Sequence, residues 1–231
     1  MVEQLERRGT FTRSQQDYLK ALYQLHGDQR PVPTRELAQR LGISSPSVSE
    51  MVTRLSAQGL VEHDRYRGQQ LTREGRKVAL ELVRHHRLLE MFLVQVLGYS
   101  WDEVHDEAER LEHVISERME QRIFELLGRP ELDPHGHAIP TLTGKVRPVS
   151  NQPLSESRVG EKLVVQGVSD DDPVRLRELE RRGLLPGIRL EMVEESKFEG
   201  PISVRIKGRR VSIPLGLARA MFVEGVRQGG R

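Results

Sequence analysis

The sequence predicts a mainly α-helical chain closed by a small β domain. Three observations predict it: glycine-punctuated helical spacings over residues 14–59, two long amphipathic stretches over residues 72–127, and short β-prone runs after residue 158.

From Ser14 to Leu25 the apolar residues Tyr18, Leu19, Leu22 and Leu25 follow helical spacing, with Gly27 available as a stop. After Pro31 and Pro33, Thr34 is positioned to cap a short helix through Leu41, and Gly42 makes a turn. Ser44 then starts a second helix through Val48, Met51, Val52 and Leu55 to Gly59. Helix, glycine turn, helix is the helix-turn-helix pattern. Leu60–Glu62 and Gln70–Leu71 read as two strands flanking the polar loop Arg65-Tyr66-Arg67-Gly68, a β-wing, so the whole predicts a winged helix.

Thr72 caps a long helix whose apolar positions Val78, Leu82, Leu89, Phe92, Leu93 and Val96 run to Gly98. Ser100 and Glu103 have capping-box spacing at the head of the next helix, predicted to continue past Ile115, Met119 and Ile123 until Gly128-Arg129-Pro130. These stripes suit a dimer interface or packing within one subunit, and periodicity leaves both open. Residues 141–158 are rich in Pro, Ser, Thr and Asn and read as a linker. Beyond it, Lys162–Val168, Arg189–Glu194, Ile202–Lys207 and Arg210–Ile213, with a helical turn over Pro173–Arg182, predict a small, partly open barrel.

A length of 231 residues predicts two or three domains. With 36% hydrophobic and 30% charged residues, no bilayer-length apolar run and no signal-peptide layout, the chain is expected to be cytosolic with no membrane partner. The absence of cysteine excludes disulfides and thiolate ligands, so any metal site must be built from oxygen and nitrogen. A net charge of +2 and a pI near 9.0 say little, but their distribution does. Arg65, Arg67, Arg73, Arg76 and Lys77 form a basic stretch, and Asp102, Glu103, Asp106, Glu107, Glu109 and Glu112 an acidic one.

Within residues 86–113, His86 and Glu90 are followed by His105, Glu109, Glu112 and His113. At about 100° per residue, steps of four, seven and eight from His105 fall at roughly +40°, −20° and +80°, so four metal-competent side chains share a face. Stacked carboxylates repel one another, imidazoles add nitrogen donors, and a divalent cation resolves the conflict. A solvated acidic face is the bland alternative. His135 and His137 form an H-x-H pair, but they lie in a proline-flanked loop and are assigned to structure or solvent.

The stretches RELAQRLGISSPSVSEMVTRLSAQGLV, LTREGRK, RHHRLLE, VHDEAERLEHVIS and DPHGHAIP resemble the diphtheria toxin repressor family of metal-dependent transcriptional regulators. The resemblance covers nearly the whole chain. It implies a winged helix-turn-helix DNA-binding domain (1–74), a helical metal-binding and dimerisation domain (75–142), a linker (143–158) and an SH3-like domain (159–231). It also implies a homodimer that binds double-stranded operator DNA. Carried over residue by residue, it places a primary metal site on Asp17, Glu109, Glu112 and His113, and an ancillary site on His86, Glu90 and His105. Hard oxygen at Asp17 and Glu109, where the toxin repressor has sulfur, is the pattern of the manganese-sensing branch. Mn(II) is therefore expected, with Fe(II), Co(II) and Zn(II) compatible with the same donors. Lys20 stands where short manganese sensors carry a second glutamate, which favours two separated sites over a close binuclear cluster. In the barrel, Asp172, or its neighbour Asp171, falls where the family has a ligating glutamate, while Arg175 replaces a glutamine that accompanies it.

A recognition helix beginning at Ser44 offers Ser44, Pro46, Ser47 and Glu50 to the major groove. Ser49 and Arg54 on the helix, and Arg65 and Arg67 on the wing, suit backbone contacts. An Fe(II)-responsive regulator is the nearest alternative. A metal-dependent hydrolase is a remoter one, since no H-E-x-x-H string is present, and a regulator triggered by a small organic ligand is another.

Overall fold

The computed structural model describes residues 11–169 and 172–226, and the chain divides into two units. The first comprises the chain through His85 together with Pro140–Lys145, and the second His86–Ile139 and the chain from Val146 on.

In the first unit, α1 (Arg13–Gln24) opens with a capping box in which Thr12 Oγ1 accepts from Gln15 N and Thr12 N donates to Gln15 Oε1. Tyr18, Leu19 and Leu22 enter a core with Leu37 of α2 (Thr34–Leu41) and with Val48, Val52 and Leu55 of α3 (Ser45–Ala57). Gly42, at φ 66°, supplies the left-handed turn between α2 and α3. Pro33, not Thr34, is the N-cap of α2, and it makes no side-chain cap bond. Ser44 caps α3 as expected, accepting from Ser47 N at 3.3 Å. β1 (Val61–Asp64) and β2 (Gly68–Leu71) pair antiparallel as the wing. Val32 bridges to Gln69, which ties this ribbon to the entrance of α2. Segment 140–145 is held by Arg84 Nη1 donating to Pro140 O at 2.7 Å and Arg76 Nη1 to Gly144 O at 3.4 Å.

Thr72 caps α4 (Arg73–Gln95), accepting from Gly75 N at 3.0 Å. In the second unit the distal half of α4 packs through Leu88, Leu89 and Leu93 against α5 (Val104–Leu111) and α6 (Glu117–Leu126). Here the predicted single helix from Ser100 to Gly128 is two. Ser116 ends the continuity because its Oγ accepts from Met119 N and starts α6 afresh.

The barrel is built from β3 (Gln152–Pro153), β4 (Lys162–Val168), α7 (Pro173–Arg181), β5 (Arg189–Glu194), β6 (Ile202–Ile206), β7 (Arg209–Ile213), α8 (Leu215–Arg219) and β8 (Met221–Gly225). Its antiparallel sheet runs β3-β8-β4-β5-β6-β7, leaving β7 at one edge with Arg209 and Arg210 exposed. β8 escapes the sequence reading, and β3 lies in the patternless stretch. Leu154, just after β3, is fully buried in the barrel core. Trp101, the chain's single tryptophan, leaves the segment before α5 and is buried in that same core. Val168 N donates to His135 O at 2.9 Å. Gly136, at φ 92°, permits this approach, because a Cβ there would stand 2.0 Å from Gln166 O.

Candidate metal centre

His86 and Glu90 lie one turn apart on α4. On α5 and its C-terminal end, His105, Glu109 and Glu112 follow at steps of four and seven, facing the α4 pair. His86 stands between the two predicted sites: its Nδ1 is 2.6 Å from Glu112 Oε2, and its Nε2 is 3.0 Å from Glu90 Oε1 and 3.2 Å from His105 Nδ1. His105 Nε2 is 3.9 Å from Glu109 Oε1, and His113 Nε2 is 3.6 Å from Glu112 Oε1. One imidazole thus lies within reach of a carboxylate from each of the two expected ligand sets. His113 itself follows the end of α5, in the bend before Ser116, so the single-face picture holds for His105, Glu109 and Glu112 only.

Glu90 is the most informative group. It is fully buried, and neither carboxylate oxygen receives a hydrogen bond of good geometry, although three imidazoles converge on it. Burial pushes its carboxyl up, but the charge of His86 and contacts from His105, His135 and His86 outweigh that and hold it well below the usual carboxylate range. A buried anion with vacant lone pairs among imidazole nitrogens fits a divalent cation that accepts oxygen and nitrogen donors.

The loop of His135 and His137, expected to serve structure or solvent, brings His135 to this cluster. His135 is fully buried, with Nδ1 3.8 Å from Glu90 Oε2 and Nε2 3.3 Å from Trp101 O. Asp133 Oδ1 accepts from the His135 and His137 amides at 2.9 Å each, while its Oδ2 lies 3.1 Å from His137 Nδ1. Burial raises the Asp133 carboxyl, Glu90 adds to that, and His137 with Arg87 brings it below its ordinary value. Ligand atoms of Asp133, His135 and His137 lie within 4.8 Å of one another, as do those of His86, Glu90 and His105, and those of His86, Glu109 and Glu112. The D-x-H-x-H alternation was the available sequence signal.

Asp17 is a half-buried residue of α1 in the first unit. Asp172 caps α7, with Oδ1 accepting from Val174 N at 2.9 Å and Arg175 N at 3.2 Å, and it belongs to no ligand cluster among the described residues. Asp171 lies outside the described residues.

On the DNA side, Ser44, Pro46, Ser47, Ser49, Glu50 and Arg54 are all exposed at α3, as are Arg65 and Arg67 on the wing. Glu50 and Arg54 pair with each other across one helical turn. Their pairing moderates the repulsion that a lone carboxylate would meet at phosphate. Ser49 Oγ donates to Ser45 O at 3.1 Å, leaving it as an acceptor. α1 grips α3 near both ends: Tyr18 Oη donates to Ser47 O at 3.4 Å, and Gln15 Nε2 to Gln58 Oε1 at 3.0 Å.

A winged reader followed by a helical module dense in imidazole and carboxylate donors defines a metal-dependent, DNA-binding transcriptional repressor rather than an enzyme. Residues 10–69 match the family described as the iron dependent repressor N-terminal DNA binding domain, residues 72–141 its metal binding and dimerisation domain, and residues 152–225 the FeoA domain, the SH3-like barrel. The chain belongs to the diphtheria toxin repressor family. It is 34% identical over 224 residues to the iron-dependent repressor IdeR of Mycobacterium leprae (strain TN), covering 90% of this chain and 96% of that protein. It is 33% identical over 220 residues to the diphtheria toxin repressor of Corynebacterium efficiens, covering 90% and 94%. A solved structure described as a manganese-dependent transcriptional repressor in complex with manganese superposes with a TM-score of 0.83 at 42% identity, covering 92% of this chain and all of that one.

Proposed function

We propose that the protein is a homodimeric, cytoplasmic, Mn(II)-responsive repressor whose DNA affinity is switched by metal. The carrying observation is Glu90, buried without a hydrogen bond among imidazoles in a site that contains no sulfur. A bound divalent cation supplies positive charge that offsets the repulsion among the carboxylates. Glu109, Glu112 and His113 hold one cation with Asp17 as the ligand from α1, and His86, Glu90 and His105 hold a second, with His135 as a further donor. Asp172 is kept as a helix cap.

Asp17 is where occupancy reaches the reader. Its neighbour Tyr18 and the preceding Gln15 hold α3, so fixing α1 fixes the recognition helix. In a dimer, two such helices then meet two half-sites at a set spacing. The exposed Val114, Met119 and Leu126 beside and on α6 suit the subunit contact. The 34% identical iron-dependent repressor supports an Fe(II) response as the second reading.

The test is DNA retention by the full-length protein, titrated with Mn(II), Fe(II), Co(II) and Zn(II) at matched free-ion concentrations. Mn(II) is expected to promote binding within the narrowest range, and His113→Ala or Asp17→Ala to abolish the metal dependence. Retention unchanged in either variant overturns the ligand assignment, and a stronger response to Fe(II) transfers the reading to iron.

A further inference from the structure

The loop between β5 and β6 of the barrel carries an apolar group that metal binding and DNA binding leave unused. Phe198 stands fully exposed at its tip, between the exposed Lys197 and Glu199. A single exposed apolar side chain is ordinary, but this tip is built to hold the ring out. Gly200 N donates to Lys197 O at 2.9 Å, closing a β-turn whose central residues, Phe198 at φ 50° and Glu199 at φ 62°, are both left-handed. Glycine and asparagine are the usual residues in such a turn, so the phenylalanine stands there against a backbone strain. Ser196 Oγ donates to Gly200 O at 2.6 Å, Glu199 pairs with Arg219 at 3.2 Å, and Val159 N donates to Glu195 Oε1 at 3.3 Å. The turn is therefore tied to the barrel on both sides.

Beside the tip lies a groove of about 470 Å³ lined by Arg182, Glu199, Pro201, Ser212, Pro214 and Leu215. Phe198 does not fold back into it, since the ring is fully exposed. Roughly 150 Å³ of apolar space suffices for a benzene ring, so the groove has room for a phenylalanine and the stems of its neighbours. Arg182 is held at the rim by its ion pair with Glu178 and by donating to Ser212 O at 3.2 Å. Glu199 belongs to both tip and groove, so knob and hole adjoin on one patch. A patch that carries its own complement is what a two-fold contact between identical subunits requires. The charges agree with that symmetry. Lys197, whose ammonium has no partner among the described residues, meets Glu199 of a second copy, while Glu199 meets Arg182 of that copy.

We propose that the barrel pairs with the barrel of a second copy about a two-fold axis, each Phe198 entering the other's groove against Pro201, Pro214 and Leu215. The contact is made by side chains and adds no strand to β7. With the ring already held in place, little order is left to lose on association. The surface is distinct from the exposed Val114, Met119 and Leu126 assigned to the homodimer contact, so barrel pairing joins two such assemblies. A two-fold contact also closes on itself and stops at a doubling.

Sedimentation velocity of the full-length protein over rising concentration is expected to show a second species at twice the mass of the first. Phe198→Ala should weaken this doubling at least tenfold, as for a central aromatic anchor, and Phe198→Asp should abolish it. In both variants the first species should remain, with far-ultraviolet circular dichroism unchanged. Cross-linking then locates the ring, since the chain has no cysteine of its own. A mixture of Phe198→Cys with Leu215→Cys, treated with a short bismaleimide, is expected to yield a two-chain product. One of the two symmetric contacts stays intact in that mixed pair. Phe198→Cys mixed with Val174→Cys, an exposed position on α7, should yield markedly less. A single species at every concentration, the same doubling in Phe198→Asp, growth beyond a doubling, or equal yields from the two mixtures overturns the proposal.

Discussion

Tyr18 Oη donates to the main-chain oxygen of Ser47, so the residue after the candidate ligand Asp17 touches the first turn of the recognition helix. Tyr18→Phe removes this bond and keeps the buried ring. At 3.4 Å the bond is long, and its loss is expected to weaken Mn(II)-dependent DNA binding about threefold, the lower end for a neutral hydrogen bond. Manganese affinity should stay unchanged by calorimetry. A fall in metal affinity as large as the fall in DNA affinity would show that the bond does not act between site and reader.

Glu90→Gln keeps the shape of a fully buried side chain and removes its charge. The amide offers one weaker acceptor oxygen where the carboxylate offers two. Calorimetric titration with Mn(II) is expected to lose one binding event, or to weaken it at least tenfold, while far-ultraviolet circular dichroism is unchanged. Titration curves that superpose would remove Glu90 from the ligand set.

Acid should weaken the metal-free protein through Glu90 and Asp133. Both carboxyls are held below their ordinary values in the fold. Groups depressed in this way stabilise the fold above the unfolded carboxylate pKa, and that stabilisation is lost as pH falls through the lower folded values. Urea midpoints of chelator-treated protein should therefore be level above about pH 5 and drop below it. Asp133→Asn should flatten the drop, and an equally steep fall in that variant would assign it elsewhere.

Trp101 is 6% exposed within the barrel core, although it is supplied by the helical module. Trp101→Ala is expected to cost about 3–5 kcal/mol, the usual range for emptying such a site. Chemical denaturation measures this cost, and limited proteolysis should show faster cutting between residues 141 and 150. A loss below about 1 kcal/mol would mean that the barrel closes around the gap.

Much of the winged unit was legible because its signals are local. Ser44 and Thr72 cap as their spacing indicates, and Gly42 turns the chain left-handed. The break at Ser116 was missed because apolar spacing runs on through Ile115 and Met119, and one capping hydroxyl decides against continuity. In the candidate site, the helix-borne His86, Glu90, His105, Glu109 and Glu112 could be found by periodicity. His135 could not, since its approach to Glu90 depends on a loop folded back through Gly136 against the barrel. Asp172 is the opposite case. Alignment points to a ligand, while two following amides already occupy Oδ1.

Among the described residues the sheet ends at β7, where Arg209 and Arg210 are exposed and Ser212 O accepts from Arg182 Nη1 at 3.2 Å. A border of five residues that carries Arg209, and Arg210 paired with Glu194, discourages a foreign strand from zipping onto it. The barrel can thus stay open at this border without inviting edge-to-edge aggregation.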